Sequence, residues 1–287
     1  MSAPQPGPGK AGSEFVLRLL SAVVLVAMAV AALWAGGWMF AALAAAAAVL
    51  ILREWMAMSG PFSFRAAPWA LMAFLAVTVV MAQTEPLHSF GFSVLIALAL
   101  LFARVTEPRV AWLSLGLVYA AVPAIAAVVL RGDGPQSFES IGAVAVIFVF
   151  VVVWATDTAA YFAGRLIGGP KLAPRFSPKK TWSGAIGGAV AGVVAGLLVV
   201  GVAGLGVGPV TALVALLLSA VGQVGDLAES AMKRHFGVKD SGVLIPGHGG
   251  IMDRVDGLVV ALSVAAAIGV VRDWLAGGGI AAGLLVW

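Results

Sequence analysis

The sequence predicts an all-α protein, a polytopic integral membrane helical bundle, and three observations support this prediction. The chain of 287 residues is 62% hydrophobic and only 10% charged, whereas soluble domains contain about 25% charged residues. Apolar runs of roughly 20 residues recur, and each is long enough to cross a bilayer core of about 30 Å. The runs are continuously apolar and lack the alternating pattern of membrane β-barrels.

Hydropathy divides the chain into about nine predicted transmembrane helices. Residues 1–14 are rich in proline, glycine and other small residues and are expected to be a disordered tail. Residues 15–140 are expected to form plain transmembrane helices with short connectors. Residues 141–287 are expected to form the C-terminal transmembrane region, in which 154–257 hold nearly all the polar chemistry. The sequence leaves open whether the last stretch, 274–287, is a separate helix. The predicted spans are 15–35, 38–58, 67–83, 89–104, 110–130, 141–163, 184–205, 208–226 and 256–272.

The distribution of positive charge predicts the orientation of the helices. If the N-terminus lies in the cytoplasm, all but two of the 17 lysine and arginine residues fall on the cytoplasmic side, the exceptions being Arg131 and Arg272. Cytoplasmic loops carry an excess of these residues. We therefore expect a bacterial inner-membrane type of location, with loops 164–183 and 227–255 inside and the C-terminus outside. The absence of cysteine excludes disulfides.

A polar stripe marks the eighth predicted helix and its continuation. Ionisable groups inside an apolar span are costly and usually functional. The alternative is a helix end that reaches the cytoplasm with Lys233 and Arg234 as interfacial anchors, which explains the basic pair better than the whole stripe. Spacings of three or four residues place on one helical face Ser219, Gln223, Asp226, Glu229, Ser230 and Lys233.

The stretch that follows combines glycines with charged residues and reads "PGHGGIMDRVDG" from Pro246 to Gly257. Its glycines, including Gly249 and Gly250, allow backbone N–H groups to approach an anionic oxygen, as in a phosphate-binding nest. His248 is as readily a loop-orienting residue as a ligand. A glycine turn before an ordinary helix start is the alternative interpretation.

Two aspartates begin the last predicted helix. Asp253 and Asp256 are three residues apart and share a helical face, so they repel each other unless a cation lies between them. Magnesium with a nucleotide phosphate would supply that cation, and Arg254 adds a group that binds phosphate. Acidic residues are also favoured at a helix N-terminus by the dipole, but this explains Asp253 alone.

A third segment joins the sixth and seventh predicted helices. Asp157 lies inside an apolar span near its cytoplasmic end, which suggests a carboxylate that faces the site. Lys179 and Lys180 precede the next span and are suited to lipid or nucleotide phosphate. Taken alone, they fit an ordinary positive-inside anchor equally well.

Together these segments indicate phosphoryl or nucleotidyl transfer at a membrane surface, with 141–287 as the catalytic region. No Ser-His-Asp order, zinc-ligand spacing or Walker loop is present in the sequence. Nucleic acid is not an expected partner, because the basic residues lie at membrane ends and form no extended basic face.

The run from Ser230 to Gly257 resembles the phosphatidate cytidylyltransferase (CDP-diacylglycerol synthase) family. The family pattern has S-x-x-K-R, then K-D, P-G-H-G-G and D-R-x-D, and this chain has "SAMKRHFGVKDSGVLIPGHGGIMDRVDG". The segments "GDLAES", "SPKKTW" and "DTAAYFAG" are similar to the family as well. One position departs from the pattern, because Ser183 stands where the family usually has an acidic residue.

The resemblance implies an enzyme of phospholipid biosynthesis that transfers CMP from CTP to phosphatidate, with Mg²⁺, membrane lipid around it and pyrophosphate as the second product. Whether a second cation joins Mg²⁺ and whether the chain forms a homodimer remain open. Under this interpretation the metal ligands are Asp226, Asp253 and Asp256, with Asp157 and Glu229 as weaker candidates. The residues that act in catalysis or bind substrate phosphates are Lys179, Lys180, Ser230, Lys233, Arg234, Lys239, His248, Gly249, Gly250 and Arg254.

Other functions use similar parts. A CTP-dependent lipid kinase, for example of polyprenol type, would yield CDP instead of pyrophosphate. A transporter would place its ionisable groups near the bilayer midplane, whereas here they cluster at one predicted surface. A CDP-alcohol phosphotransferase also carries aspartates on helices, but the later aspartate pair of that pattern is missing after Gly257.

Overall fold

The computed structural model describes residues 23–60, 67–102, 108–242, 244 and 249–287, and within them it is almost entirely helical. The predicted fold class is confirmed. The described part contains ten helices and one two-stranded antiparallel hairpin: α1 Val23–Ala35, α2 Gly37–Ser59, α3 Ala67–Met81, α4 Pro86–Phe102, α5 Pro108–Arg131, α6 Ile141–Leu166, β1 Lys171–Ala173, β2 Ser177–Thr181, α7 Trp182–Val202, α8 Pro209–His235, α9 Met252–Ala276 and α10 Ile280–Leu285.

Six of the described helices, α2 and α5 to α9, are long and apolar enough to cross a membrane. Each of them overlaps a predicted span, so the protein is an integral membrane protein. Helices α1, α3 and α4 are shorter within the described residues, and the predicted span 15–35 begins outside them. The predicted tail 1–14 also lies outside the described residues. The predicted count of nine spans is therefore approximate.

The two predicted cytoplasmic loops are shorter than expected, because the neighbouring helices extend into both of them. Helix α8 continues to His235, nine residues beyond the predicted end at 226, because the polar stripe keeps helical spacing after hydropathy has fallen. Helix α9 begins at Met252, so the second loop comprises 236–251. The first loop contains the hairpin, in which Lys171 pairs with Thr181 and Ala173 with Ser177.

Helices α6 and α7 pack closely because small residues of α7 face α6. A row of buried glycines lines one face of α7: Gly184, Gly188, Gly192 and Gly196. A Cβ on Gly188 would lie only 2.7 Å from the carbonyl oxygen of Thr156. Small residues permit such close approach of helices in lipid. The opposite face of α7 carries exposed apolar side chains, such as Ile186 and Val190, which suit contact with lipid.

Arg131 organises the end of the bundle opposite the polar segments. Its side chain is only 1% exposed, although the residue closes α5. Its Nε donates to the carbonyl oxygen of Leu33 at 2.8 Å, and its Nη2 donates to those of Trp34 and Pro135 at 3.3 Å. The arginine thus satisfies carbonyl groups left unpaired at the end of α1.

The apolar tail forms the short helix α10, which folds back on α9 and does not span. A Cβ on Gly269 would lie 2.4 Å from the carbonyl oxygen of Ile280, which shows how closely the two helices approach. The Arg272 guanidinium lies 3.9 Å from the centre of the Trp287 ring. This cation–π contact fastens the C-terminal residues to the end of α9.

Candidate active site

A cavity of about 520 Å³ opens where α6 ends, α7 begins and the hairpin covers α8. Its volume lies within the range of about 300–1,000 Å³ that is usual for small-molecule sites. Unlike most such sites it is lined by several charges. Four are cationic side chains and two are carboxylates: Arg165, Lys171, Lys179, Lys180, Asp157 and Asp226.

The hairpin and the start of α7 position the lysines of this cavity. Strand β2 runs directly into α7, and Thr181 is the N-cap, whose Oγ1 accepts from the backbone N–H of Gly184 at 3.1 Å. Threonine is a favoured residue for this role. The cap fixes the direction of β2, on which the exposed Lys179 and the partly buried Lys180 both line the cavity.

Ser183, the residue that departs from the resembled family pattern, has a structural partner. Its hydroxyl donates to the carbonyl oxygen of Gly168, in the turn after α6. It also lies 3.0 Å from Thr181 Oγ1. A serine at this position therefore ties the beginning of α7 to the end of α6.

Lys180 and Asp226 form an ion pair between the hairpin and α8. Ser230, one turn further along α8, donates to the other carboxylate oxygen of Asp226 at 3.5 Å. The side chains of Lys180 and Asp226 are partly buried, so the pair is shielded more than a surface pair but remains accessible from the cavity. Two segments proposed separately from the sequence thus contribute to one site.

A second cluster lies one to two turns further along α8. The Nζ of Lys233 is 2.7 Å from Asp253 Oδ1 and 3.2 Å from Glu229 Oε1. Glu229 is only 1% exposed, and burying a carboxylate is costly unless a partner compensates its charge. Lys233 therefore balances two carboxylates, one on its own helix and one on α9.

Backbone N–H groups of the loop before α9 donate hydrogen bonds to Asp253. Its Oδ2 accepts from the N–H of Ser241 at 2.9 Å and from the N–H of Gly250 at 3.0 Å. The Gly250 donor, which the sequence assigned to substrate phosphate, thus donates to Asp253 in this structure. Gly249 has a φ of 84°, a conformation that suits glycine.

Glycines also bring Asp256 next to α8. A Cβ on Gly225 would lie 2.9 Å from the backbone carbonyl oxygen of Asp256. The carboxylate of Asp256 accepts from the N–H of Gly257 at 2.8 Å. The absence of side chains at such positions lets two helices that carry aspartates approach closely.

The remaining candidates are exposed or lie outside the described residues. Arg234 is exposed, and its Nη1 donates to the carbonyl oxygen of Val238 at 2.9 Å, which closes the end of α8. Lys239 and Arg254 are exposed as well. His248 lies outside the described residues, so its predicted role stays a prediction.

The donors around the cavity fit a sparsely ligated Mg²⁺ ion. Among the described residues, no three His, Asp or Glu side chains converge as a metal-binding group. Mg²⁺ usually binds through one or two carboxylates, with water and substrate phosphates filling its other positions. Asp157 and Asp226 line the same cavity and meet this need. Asp253 is not among the residues that line this cavity, and its oxygens accept from Lys233, Ser241 and Gly250.

Sequence reasoning missed several residues of this region. Arg165 and Lys171 line the cavity, but they were counted only as positive-inside charges. Glu54 of α2 reaches the loop before α9 and accepts there from the backbone N–H of Ile251. It lies inside the predicted span 38–58. The rule that an ionisable residue within a span is functional, which identified Asp157, would have identified Glu54 as well.

Comparison with known proteins finds relatives that align with most of the chain. A phosphatidate cytidylyltransferase of Brucella suis is 44% identical, over 88% of this chain and 92% of that protein. Proteins of the same name from Synechocystis and Staphylococcus epidermidis are 34% and 33% identical, over 84% and 86% of this chain. The model of the cytidylyltransferase family matches residues 16–271. The chain therefore belongs to the cytidylyltransferase family.

Proposed function

We propose that this chain is a phosphatidate cytidylyltransferase, which transfers CMP from CTP to phosphatidate and releases pyrophosphate. The cavity at the end of α6 carries the proposal, because its four cationic side chains and two carboxylates suit two phosphate-bearing substrates and a metal ion. The similarity to relatives of that name supports the choice of substrates.

The cationic residues of the cavity would bind and orient the phosphates. A triphosphate and a lipid phosphate repel each other, so they come together only if positive groups neutralise them. Lys180 pairs with Asp226 in this structure. On substrate binding, Lys180 would donate to phosphate oxygens, while Asp226 would become available to a metal ion.

The chemical step needs little acid–base help from the protein. A lipid phosphate is already largely ionised near neutral pH, so one of its oxygens attacks the α-phosphorus of CTP directly. The new phosphorus–oxygen bond forms as the bond to the β-phosphate oxygen breaks, and pyrophosphate leaves with the electron pair. The cavity residues hold the two phosphates in line and balance their charge.

A bound Mg²⁺ would supply charge neutralisation of the pyrophosphate leaving group. Asp226 and Asp157 would hold it from the wall of the cavity. Lys233, Glu229 and Asp253 would support this site from α8 and α9. They keep the two helices in register at the level of the last turn of α8.

The orientation is part of the proposal. The cavity, the hairpin and the loop 236–251 all lie at one end of the bundle, where α6 and α8 end and α7 and α9 begin. CTP is a cytoplasmic metabolite, and the positive-inside rule assigns this end to the cytoplasm. The N-terminus would then lie in the cytoplasm as well, with the protein in the inner membrane of a bacterium.

A product assay tests the proposal. Purified protein in detergent with Mg²⁺, phosphatidate and CTP labelled at the α-phosphorus should form a labelled lipid and release pyrophosphate. A lipid kinase would instead leave labelled CDP and would require a lipid alcohol. Formation of CDP with diacylglycerol or a polyprenol as acceptor, or intact CTP with folded protein, would refute the assignment.

A further inference from the structure

The loop before α9 closes around a carboxylate that comes from the N-terminal half of the chain. Glu54 lies on α2 and is only 5% exposed. Its Oε1 accepts from the N–H of Ile251 at 2.9 Å, and its Oε2 accepts from the N–H of Met252 at the same distance. Oε2 also lies 3.3 Å from the hydroxyl of Ser241, which donates to it. One side chain thus binds both ends of the loop 241–252.

The loop has no space for side chains where it surrounds this carboxylate. A Cβ on Gly242 would lie 2.9 Å from Glu54 Oε1, and one on Gly250 would lie 2.6 Å from Oε2. Glycine at these two positions therefore lets the backbone approach the carboxylate closely. We call Glu54 together with Ser241, Gly242, Gly250, Ile251 and Met252 the loop clamp.

The loop clamp takes over a function that local residues usually perform. The first N–H groups of a helix have no partners within it, and the N-cap side chain commonly accepts from one of them. The N-cap of α9 is Ile251, which makes no side-chain hydrogen bond. Glu54 supplies two acceptor oxygens and a negative charge, which the dipole of α9 also favours.

The clamp adjoins the residues proposed for the reaction. Ser241 donates its hydroxyl to Glu54 and its N–H to Asp253. The N–H of Gly250 donates to Asp253 as well, and Asp253 in turn binds Lys233. A change in the position of Glu54 would therefore reach Lys233 through two backbone groups and one carboxylate.

We propose that Glu54 is a positioning residue for the transfer reaction: it fixes Ser241 and Gly242 relative to Ile251 and Met252, so that Asp253 and Lys233 keep their places on α9 and α8. The role of these two residues in transfer rests on the proposed function. The closure of the loop by Glu54 does not depend on it. The N-terminal helices thus contribute directly to the order of the site.

The experiment compares Glu54→Gln with Glu139→Gln, the same change at an exposed glutamate in the connection before α6. Glutamine keeps the size of the side chain but loses the charge and one acceptor. A hydrogen bond to a charged group is strong enough that its loss should lower kcat/KM about tenfold or more. Glu139→Gln should retain wild-type kcat/KM.

A second readout reports the loop itself and needs no activity. The chain has no cysteine, so Leu244→Cys provides a single label in the loop. We expect a thiol reagent to react several-fold faster with this position in the Glu54→Gln background than in the Glu139→Gln background. If the wild-type chain forms no CMP-lipid, the proposed function fails, while the labelling rates still test the clamp.

A third variant changes the loop side of the clamp, so that the proposal can still be tested if Glu54→Gln does not fold. Gly242→Ala places a methyl group against the Glu54 carboxylate and should reproduce the faster labelling and the loss of kcat/KM. Combining it with Glu54→Gln should add little, because both changes open the same contact. Wild-type labelling and activity in Glu54→Gln, or in Gly242→Ala if the first does not fold, would overturn the proposal.

Discussion

Lys233 Nζ lies 2.7 Å from Asp253 Oδ1 and thereby joins the last turn of α8 to the first turn of α9. The same ammonium group lies 3.2 Å from Glu229, so it keeps one carboxyl neighbour even if Asp253 is changed. The pair can therefore be tested by mutation with little risk to the fold. In a buried ion pair with no further neighbour, removal of one residue leaves the other charge unpaired and is strongly destabilising.

Asp253→Asn keeps the side-chain volume but removes the charge that orients Lys233. We expect turnover to fall by at least about 100-fold, as for other electrostatic catalytic groups. The asparagine oxygen still accepts from Ser241 and Gly250, so the protein should insert and purify normally. Asp133→Asn, at an exposed position on the opposite side, is the control. Near-normal turnover of Asp253→Asn would remove this residue from the site.

Lys180→Met should weaken the binding of CTP, because it deletes a cation that lines the cavity. We expect kcat/KM for CTP to fall about tenfold or more, in line with the loss of a charge-assisted contact. Arg175→Gln on the same hairpin is the matched control, since Arg175 stacks on Phe176 and is not part of the cavity lining. Equal kinetics of the two variants would argue against a phosphate-binding role for Lys180.

Chelation of divalent metal should abolish the transfer, and added Mg²⁺ should restore it. Asp226→Asn should raise the Mg²⁺ concentration for half-maximal rate several-fold, because an amide oxygen is a weaker ligand than a carboxylate. The titration is carried out at saturating CTP, so that a change in CTP binding does not imitate the effect. Full activity in EDTA would exclude the proposed metal ion.

The orientation is testable with single cysteines in this cysteine-free chain. Pro174→Cys lies in the exposed turn of the hairpin, and Asp133→Cys lies in the exposed connection between α5 and α6. An impermeant thiol reagent added to intact cells should label Asp133→Cys and leave Pro174→Cys unlabelled until the inner face is opened. The reverse pattern would invert the proposed topology.

The close packing of α6 and α7 should be sensitive to one methyl group. In Gly188→Ala the new Cβ would meet the backbone of Thr156 at 2.7 Å, so the helices must separate. Overpacking of this kind costs about 1–3 kcal/mol and should lower the thermal midpoint in detergent. Gly201→Ala, whose Cβ would be 3.5 Å from its nearest neighbour, should leave that midpoint unchanged.

Hydropathy alone predicts most of the fold. The predicted span 38–58 corresponds to α2, and 141–163 to most of α6, because a long apolar run in lipid must be helical to satisfy its backbone. The end of α8 was missed because hydropathy falls at Asp226, whereas the helix continues on charged residues to His235. The hairpin was missed because strands of three and five residues leave little signal in the sequence.

The sequence predicted which types of residue form the site but not which side chains contact one another. Spacing placed Asp226 and Lys233 on one helical face, and α8 confirms this placement. Spacing could not show that Lys180 would reach Asp226 across 46 residues, or that Lys233 would bind Asp253. The partners of Glu54 were the hardest to predict from nearby sequence, since they are almost 200 residues away. Contacts between distant segments depend on helix packing, which periodicity does not report.

The glycine row of α7 also determines where the cavity can admit its substrates. Because the glycines of α7 lie directly against the backbone and side chains of α6 over several turns, these two helices form a wall that cannot widen without losing those contacts. The hairpin is attached differently, through the Thr181 cap where it joins α7 and through the Lys180–Asp226 ion pair to α8. We expect exchange of nucleotide and lipid to occur at this rim, while the helical wall keeps its shape through each catalytic cycle.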